Sequence, residues 1–505
     1  MNSRLVIRLS FAVLLALICT ACGQSSVSPA PASAGATAGV SASSGSSPSP
    51  APRPSGQPPS AANPVPVIVD TDLAADDLYA LLVLLRDPAV DLRAITIAGT
   101  GEVHCVPGLR NTRRLLTALG RPEIPVACGR QEPGPNGRWF PPDWRSGADA
   151  FYGVELPPVD GETARDEDAP ELLVRLTAES DVPLTLVTLG PLSNVADAAK
   201  LDPAFASRVA GIHAMAGTID APGNIELGDT KPSDRVEWNV GADPDAMAAV
   251  LALDVPITLV GLDATNDVPV PTDIVEQLSG DHAAAGADIV FEMYAKSPFL
   301  ASSESSYWDP LAAATLTDPS IAGWEDLEVS MQPTGAGAGR LSRDPGGRPV
   351  RAAMSADREA FMTRFLAALR TGAPRPDPFT VRGSMTVHWD GKKCRIEGDP
   401  PTNAGLTSIK LINESEADVV AMFGGVTPPK HWKDLIGFIR GADFGDPNLS
   451  VPEWAVPVPG NVSASPGSSA SSVVQLPAGE LGAVCATGTW PDLEFFDAGA
   501  FTLED

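Results

Sequence analysis

Positive charge is scarce in this chain: 35 Lys and Arg stand against 63 Asp and Glu, a formal net charge of −28 at pH 7 over 505 residues. A surface of that sign repels phosphate, which excludes nucleic acid and anionic membrane surfaces as electrostatic partners. A ligand must then be uncharged, or have its anions held on a metal. Cysteine is sparse as well. Of six, four lie beyond the first 22 residues, and none of these falls in a C-x-x-C pair, which removes the usual zinc and thioredoxin-like motifs. Large apolar and charged residues are almost missing from residues 23–64, a run of Ser, Pro, Ala and Gly that reads as a tether. The chain is too long for one hydrophobic core, so two or more folded units are expected.

The N-terminus reads as an address. Arg4 and Arg8 precede an apolar stretch, Leu9 to Ile18, that is too short to span a bilayer comfortably. The ending Thr20-Ala21-Cys22-Gly23 resembles a lipobox, with Cys19 where Leu is usual. Residues 1–22 are therefore expected to be a signal peptide whose Cys22 is acylated, giving an exported lipoprotein that faces outward from the cell membrane; secretion after ordinary cleavage at Ala21 is the alternative. In an oxidising compartment, Cys105 with Cys128 and Cys394 with Cys485 are the economical disulfides.

From residue 65 to about 375 short apolar runs alternate with helix-like stretches. Val67–Asp70, Leu92–Ala98, Leu184–Leu189 and Pro256–Val260 read as strands; Asp77–Arg86, Gly108–Leu119 and Asn194–Lys200 read as helices. That alternation predicts an α/β domain with a mostly parallel sheet covered on both faces, whose ligands collect at the carboxyl ends of the strands. Over residues 380–505 the texture changes. Met385–Trp389, Leu406–Ile412, Ser471–Leu476 and Leu481–Cys485 are short and β-branched, separated by Gly, Pro and Asn, and predict an antiparallel all-β sandwich. Its strand order resembles the cupredoxin-like fold. Blue copper needs two His and a Cys, and no His or Met follows His431, so Cys485 is expected to bridge Cys394 in a binding or structural module.

The sharpest chemical signal is Asp70-Thr-Asp72-Leu-Ala-Ala-Asp76-Asp77, where the first strand stops and the first helix begins. One Asp would suffice to cap the helix. Four carboxylates at the end of a buried strand repel one another and take up protons unless a cation holds them. A hard, oxygen-ligated ion such as Ca²⁺ is the natural partner.

This run resembles the D-T-D-P-G-x-D-D signature of the inosine-uridine nucleoside hydrolases. Three later segments fall in that family's order: Thr188-Leu-Gly-Pro-Leu-Ser-Asn194, Glu237-Trp-Asn239 with Asp243-Pro244, and Trp308-Asp-Pro-Leu-Ala312. The resemblance covers residues 65 to 370. It implies a Ca²⁺ held by the carboxylates of Asp72, Asp77 and Asp309 and the main-chain carbonyl of Leu189. It implies further that Asp76, Asn224, Glu237 and Asn239 hold the ribose, that Met215 lies under the ring, and that Asp72 accepts the proton of the attacking water. The implied activity is hydrolysis of the N-glycosidic bond of ribonucleosides or related N-ribosides. Expected partners are a small nucleoside or riboside and, through the lipid anchor, the membrane; homo-oligomers are left open.

Two positions depart from the pattern. Thr100 stands where the family commonly has an Asn near the sugar, and Trp308 where many members carry a His that helps the base leave. A Trp stacks on a base but cannot protonate it. His104 is the expected substitute acid, with Glu102 and Asp143 as the other candidates, and Trp139–Trp144 is aromatic enough to cover a base. Leu73-Ala74 replaces the usual Pro-Gly between the paired acids, which is tolerable if the backbone there stays out of the left-handed region. The departures also motivate a second reading, a non-catalytic sugar-binding lipoprotein. A third, a haloacid-dehalogenase-like phosphohydrolase, rests on the strand ending in Asp-x-Asp, but its second acidic pair and Lys should be distant rather than on the same turn. Cys22→Ala is expected to move the protein out of the membrane fraction; a variant that still sediments with membranes rejects the lipobox.

Overall fold

In a computed structural model the described residues are 59–504, apart from 226–235, 272, 302–304, 382, 443–448, 490 and 491; the signal segment and most of the tether lie outside them. The chain divides after Thr380 into two compact units.

The first unit is built on nine strands: β1 (Val65–Thr71), β2 (Val90–Ile97), β3 (Val126–Cys128), β4 (Leu184–Thr188), β5 (Val209–Ala214), β6 (Ile257–Leu259), β7 (Ala322–Met331), β8 (Leu341–Arg343) and β9 (Arg348–Ala356). Their order is β3-β2-β1-β4-β5-β6-β9-β7-β8. Every pairing from β3 to β9 is parallel, and only β7 and β8 run against their neighbours. Every residue of β1 is buried, as a strand covered on both faces requires.

The helices that matter to the site are α1 (Ala75–Arg86), α2 (Cys105–Ala118), α3 (Pro142–Asp149), α4 (Ala169–Glu179), α5 (Ser193–Leu201), α6 (Trp238–Ala242), α7 (Pro244–Leu251), α8 (Trp308–Thr317) and α9 (Arg358–Leu369). They pack in two groups, α1 with α8 and α9, and α4 with α5 and α7. The expected strands and helices are present, with one informative offset. Helix α2 begins at Cys105, a turn before the expected Gly108, because Pro107 falls in the first turn, where its missing N–H leaves no helical bond unmade. Cys105 and Cys128 are bridged, tying the start of α2 to the end of β3.

The strand order reverses at β1. From β1 the chain moves outward through β2 to β3, then returns to β4 on the opposite side. The loops leaving β1 and β4 therefore diverge, and a crevice opens over the carboxyl ends of these two strands.

The second unit packs two four-stranded sheets. One contains β10 (Gly383–Trp389), β11 (Cys394–Glu397), β12 (Gly405–Asn413) and β15 (Ser469–Leu476); the other contains β13 (Val419–Val426), β14 (Ala455–Ala464), β16 (Gly479–Thr489) and β17 (Asp492–Leu503). The sandwich is present, but its expected antiparallel character holds only in part: β10 and β12 are parallel. The hairpin strand β11 takes the far side of β10, so the chain crosses over before β12 is laid down. A helix the strand pattern did not suggest, α10 (Trp432–Gly441), packs Trp432, Leu435 and Ile436 against Val426 and Val484. The Cys394–Cys485 bridge joins β11 of one sheet to β16 of the other.

His213 on β5 pins α8 to the sheet of the first unit. Its Nε2 lies 2.9 Å from the Ala312 carbonyl, which can only accept, so Nε2 carries the proton. Burial pushes its pKa from 6.5 down to about 4. The folded state thus binds fewer protons than the unfolded chain between these values, and stability falls as pH drops from 6.5 toward 4. The native protein is expected to lose about 3 kcal/mol more than His213→Gln between pH 7 and pH 4, read from urea unfolding. Equal losses would show that His213 is not held neutral.

Candidate active site

Strand β1 ends in Asp70-Thr71, in register with Thr96 of β2 and, at Asp70, Thr188 of β4. Asp70 faces inward and is held by the Thr96 hydroxyl at 2.6 Å and the Asn194 amide at 2.7 Å. Burial pushes its pKa up to about 7 against these bonds. The chain then turns sharply at Leu73, whose φ of 55° is left-handed. This corrects the expectation for Leu73-Ala74: the turn costs about 1–2 kcal/mol for a residue with a Cβ. It is retained because Leu73 is 1 % exposed and its N–H bonds the Thr71 hydroxyl at 3.1 Å.

Asp76 and Asp77 fall in the first turn of α1, but neither caps it; the N-cap is Ala74, with no side-chain cap bond. Instead Asp77 Oδ1 accepts from the Thr71 hydroxyl and, at 3.1 Å, from the Asp72 amide. Its Oδ2 is buried without a hydrogen-bond partner among the described residues, and so is Oδ1 of Asp309. Asp309 enters from α8, and its amide lies 3.4 Å from Asp76 Oδ2. Ligand atoms of Asp76, Asp77 and Asp309 lie within 4.8 Å of one another. Asp72 sits beside this trio and accepts from the Glu102 amide at 3.0 Å.

Glycine makes the fit possible. A Cβ at Gly101 would overlap the Asp72 carboxylate, and one at Gly190 would lie 2.8 Å from Asp72 Cβ. Burial raises the pKa of Asp72 to about 6 and of Asp76 to about 7; burial pushes Asp77 well up, helped by the charges of Asp72 and Asp76, and Asp309 well up, helped by the charges of Asp77 and Asp76. Four carboxylates this close, two with an orphaned buried oxygen, fit a hard divalent cation, whose charge offsets their repulsion.

A second knot lies across the crevice. Glu237 caps the five-residue helix α6, accepting from the amides of Asn239 at 2.7 Å, Val240 at 3.2 Å and Gly217 at 2.9 Å. Burial raises its pKa to about 7 even so. The Asn239 amide donates to the carbonyls of Leu189 at 2.7 Å and Met215 at 3.0 Å, and Asn224 accepts from the Trp238 amide at 3.1 Å. Met215 is buried beside Asn239, its sulfur 3.4 Å from the amide nitrogen. Leu189, Met215, Asn224, Glu237 and Asn239 are thus brought together from four segments.

Other expected residues are placed differently. Thr100 is fully buried, and its hydroxyl lies 2.8 Å from Ser193 Oγ, which donates to Asp243 at 2.6 Å. Since the Ser193 proton goes to Asp243, the Thr100 proton goes to Ser193 and is not free for a sugar. Arg130 closes the chain by pairing with Asp243 and Asp197. Ser193, Asp243 and Arg130 had no assigned role in the sequence reading. Ser193 and Asp243 lie inside the family segments; nothing local marks Arg130.

His104 turns away from the carboxylates. Its side chain is 48 % exposed, with Nδ1 2.7 Å from Asp149 and its own amide donating to the same carboxylate. Asp143 is exposed on α3. Glu102 instead lies beside Asp72, accepting from the Tyr152 hydroxyl at 3.0 Å, and burial together with the Asp72 charge raises its pKa to about 8. Trp308 begins α8 with its Nε1 buried and without a hydrogen-bond partner among the described residues. In the aromatic segment, Phe140 stacks on Trp238 at 4.7 Å and Trp144 lies 5.4 Å from the same ring.

A saturating divalent cation, at about 100 Kd, is expected to stabilise the native protein by about 2.7 kcal/mol. Gly101→Ala should retain the circular dichroism of the native chain and lose most of this thermal shift, because Asp72 must swing aside. An unchanged shift would separate Asp72 from the ion site.

The model of inosine-uridine preferring nucleoside hydrolases matches residues 67–363. Pyrimidine-specific ribonucleoside hydrolase RihA of Klebsiella pneumoniae (strain 342) is 30 % identical over 309 residues, 59 % of this chain and 96 % of that protein. Probable uridine nucleosidase 1 of Oryza sativa subsp. japonica is 32 % identical over 202 residues, so the chain spans 60 % of that protein's length. The crystal structure of the inosine-uridine preferring nucleoside hydrolase from Bacillus anthracis superposes with a TM-score of 0.53 at 25 % identity, covering 61 % of this chain and 99 % of that one. With the acidic strand end, the reversal of strand order and these matches together, the chain belongs to the inosine-uridine preferring nucleoside hydrolase family.

Proposed function

We propose that residues 65–375 hydrolyse the N-glycosidic bond of ribonucleosides or related N-ribosides with the help of Ca²⁺, on a protein exported and anchored at the cell surface through Cys22. The observation that carries this reading is the convergence of Asp72, Asp76, Asp77 and Asp309 at the strand-order reversal, with two buried oxygens left over. Asp72, Asp77, Asp309 and the Leu189 carbonyl would hold the ion, which when bound supplies a fixed site for the attacking water.

The chain's own residues then have separable tasks. Asp72 accepts the water proton, its orientation set by the Glu102 amide and by the two glycines that press on it. Asp76 takes ribose hydroxyls at the mouth of α1. Asn224, Glu237 and Asn239 bound the sugar on the other side, with Met215 beneath. Positive charge growing at the anomeric carbon is favoured by the surrounding carboxylates. The departing base lies toward Trp308 and the segment Trp139–Trp144, where stacking is available.

The native chain is expected to release ribose from uridine or inosine slowly, and from nitrophenyl riboside much faster, because nitrophenolate leaves without a proton. Asp72→Asn should lower both rates by about 10²–10⁴-fold. Removal of Ca²⁺ with a chelator should abolish them and re-addition restore them. Tight Ca²⁺ and ribose binding without release of any base would favour the non-catalytic sugar-binding reading instead.

A further inference from the structure

Arg145, on α3, is 4 % exposed, and its Nε and Nη1 are buried with no hydrogen-bond partner among the described residues. A buried guanidinium with two unpartnered donor nitrogens is costly and calls for an explanation. Only Nη2 is engaged, donating to the Gly99 carbonyl at 3.1 Å. Gly99 begins the loop that runs through Gly101 and Glu102, the two residues that press on and donate to Asp72. The guanidinium is therefore anchored to the wall of the candidate active site, within the field of Asp72 and Glu102. The Trp139 ring, 55 % exposed, lies 5.6 Å from Cζ. Trp139 belongs to the segment toward which the departing base is placed above.

Neither His104 nor Trp308 supplies a proton to the base, and Glu102 lies on the Asp72 side with its carboxyl on the Tyr152 hydroxyl. His104 is committed to Asp149 at the surface, and the indole of Trp308 does not give up a proton. A base expelled from ribose carries the electron pair of the broken bond, and a uracil anion spreads it over a ring nitrogen and two carbonyl oxygens. The planar fork of a guanidinium matches such an N/O edge and stays charged throughout.

We infer that Arg145 is a catalytic residue that stabilises the departing base as an anion. This rests on the N-glycosidase reading above. In the step, the bond between the anomeric carbon and the base nitrogen breaks and its electron pair moves onto the base, where Nε and Nη1 of Arg145 donate to it. The water oxygen bonds the anomeric carbon, its proton passes to Asp72, and the base anion is later protonated by solvent.

The test uses the full chain loaded with Ca²⁺ and measures kcat/KM for uridine and for a series of phenyl ribosides from nitrophenyl to unsubstituted phenyl. Arg145→Met is expected to lower uridine cleavage by about 10²–10³-fold, the usual effect of removing one donor to a developing anion. Nitrophenyl riboside should change less than about fivefold, so that the dependence of rate on leaving-group acidity steepens. A merely structural arginine would depress every substrate alike and leave that slope unchanged; that result, or no loss on uridine, overturns the inference. Should Arg145→Met fail to fold, Arg145→Lys carries the same test, since Lys keeps the charge and loses the fork: a steeper slope supports the role and an unchanged slope overturns it. If the native chain splits neither uridine nor any aryl riboside, the N-glycosidase reading falls and this role falls with it.

Discussion

The mutual repulsion of buried carboxylates is the constraint on which the first unit depends. Ligand atoms of Asp76, Asp77 and Asp309 lie within 4.8 Å of one another with Asp72 beside them, and burial and this crowding favour the protonated forms. Hydrogen bonds to these carboxylates relieve this only in part. The neighbours of Asp77 are a hydroxyl and an amide on one oxygen, with the other left bare. An arrangement of this kind is stable when an ion completes it, and it then fixes where water and sugar must lie.

Around that centre the fold supplies rigidity rather than reactivity. The Thr100, Ser193, Asp243 and Arg130 chain ties the loops after β2, β3 and β4 to the start of α7. Glu237 spends its oxygens on three backbone amides, holding the turn after β5 against α6. The Thr100, Ser193, Asp243 and Arg130 chain keeps its polar groups on one another, so it positions the crevice without meeting a ligand. The Cys105–Cys128 bridge belongs to the same scaffold, since it fixes the start of α2 beside the loop that presses on Asp72.

The second unit is stabilised differently. Its core is mostly aliphatic, with Val387, Ile409, Leu411, Leu476 and Ala483 fully or almost fully buried beside Trp389, Phe423 and Phe501, and the Cys394–Cys485 bridge belongs to that core. Loop-closure entropy makes such a link worth several kcal/mol in a small sandwich.

Much of this was legible in the residues alone. Alternating strand and helix patterns require a parallel sheet, and the clustering of Asp70, Asp72, Asp76 and Asp77 at a strand end is visible because side-chain position along a strand and a first helical turn follows from local geometry. What the sequence could not determine was direction across long separations. Only the packing of α8 against α1 brings Asp309 to Asp77, and only the docking of α3 sets Arg145 inward and turns His104 out to Asp149. Thr100 looked like a sugar ligand by position, yet a partner in another loop takes its single proton. The crossover that leaves β10 and β12 parallel depends on which edge β11 occupies, and strand patterning is silent on that choice. Local geometry determines which residues stand at an element's end; tertiary contacts alone decide what they face.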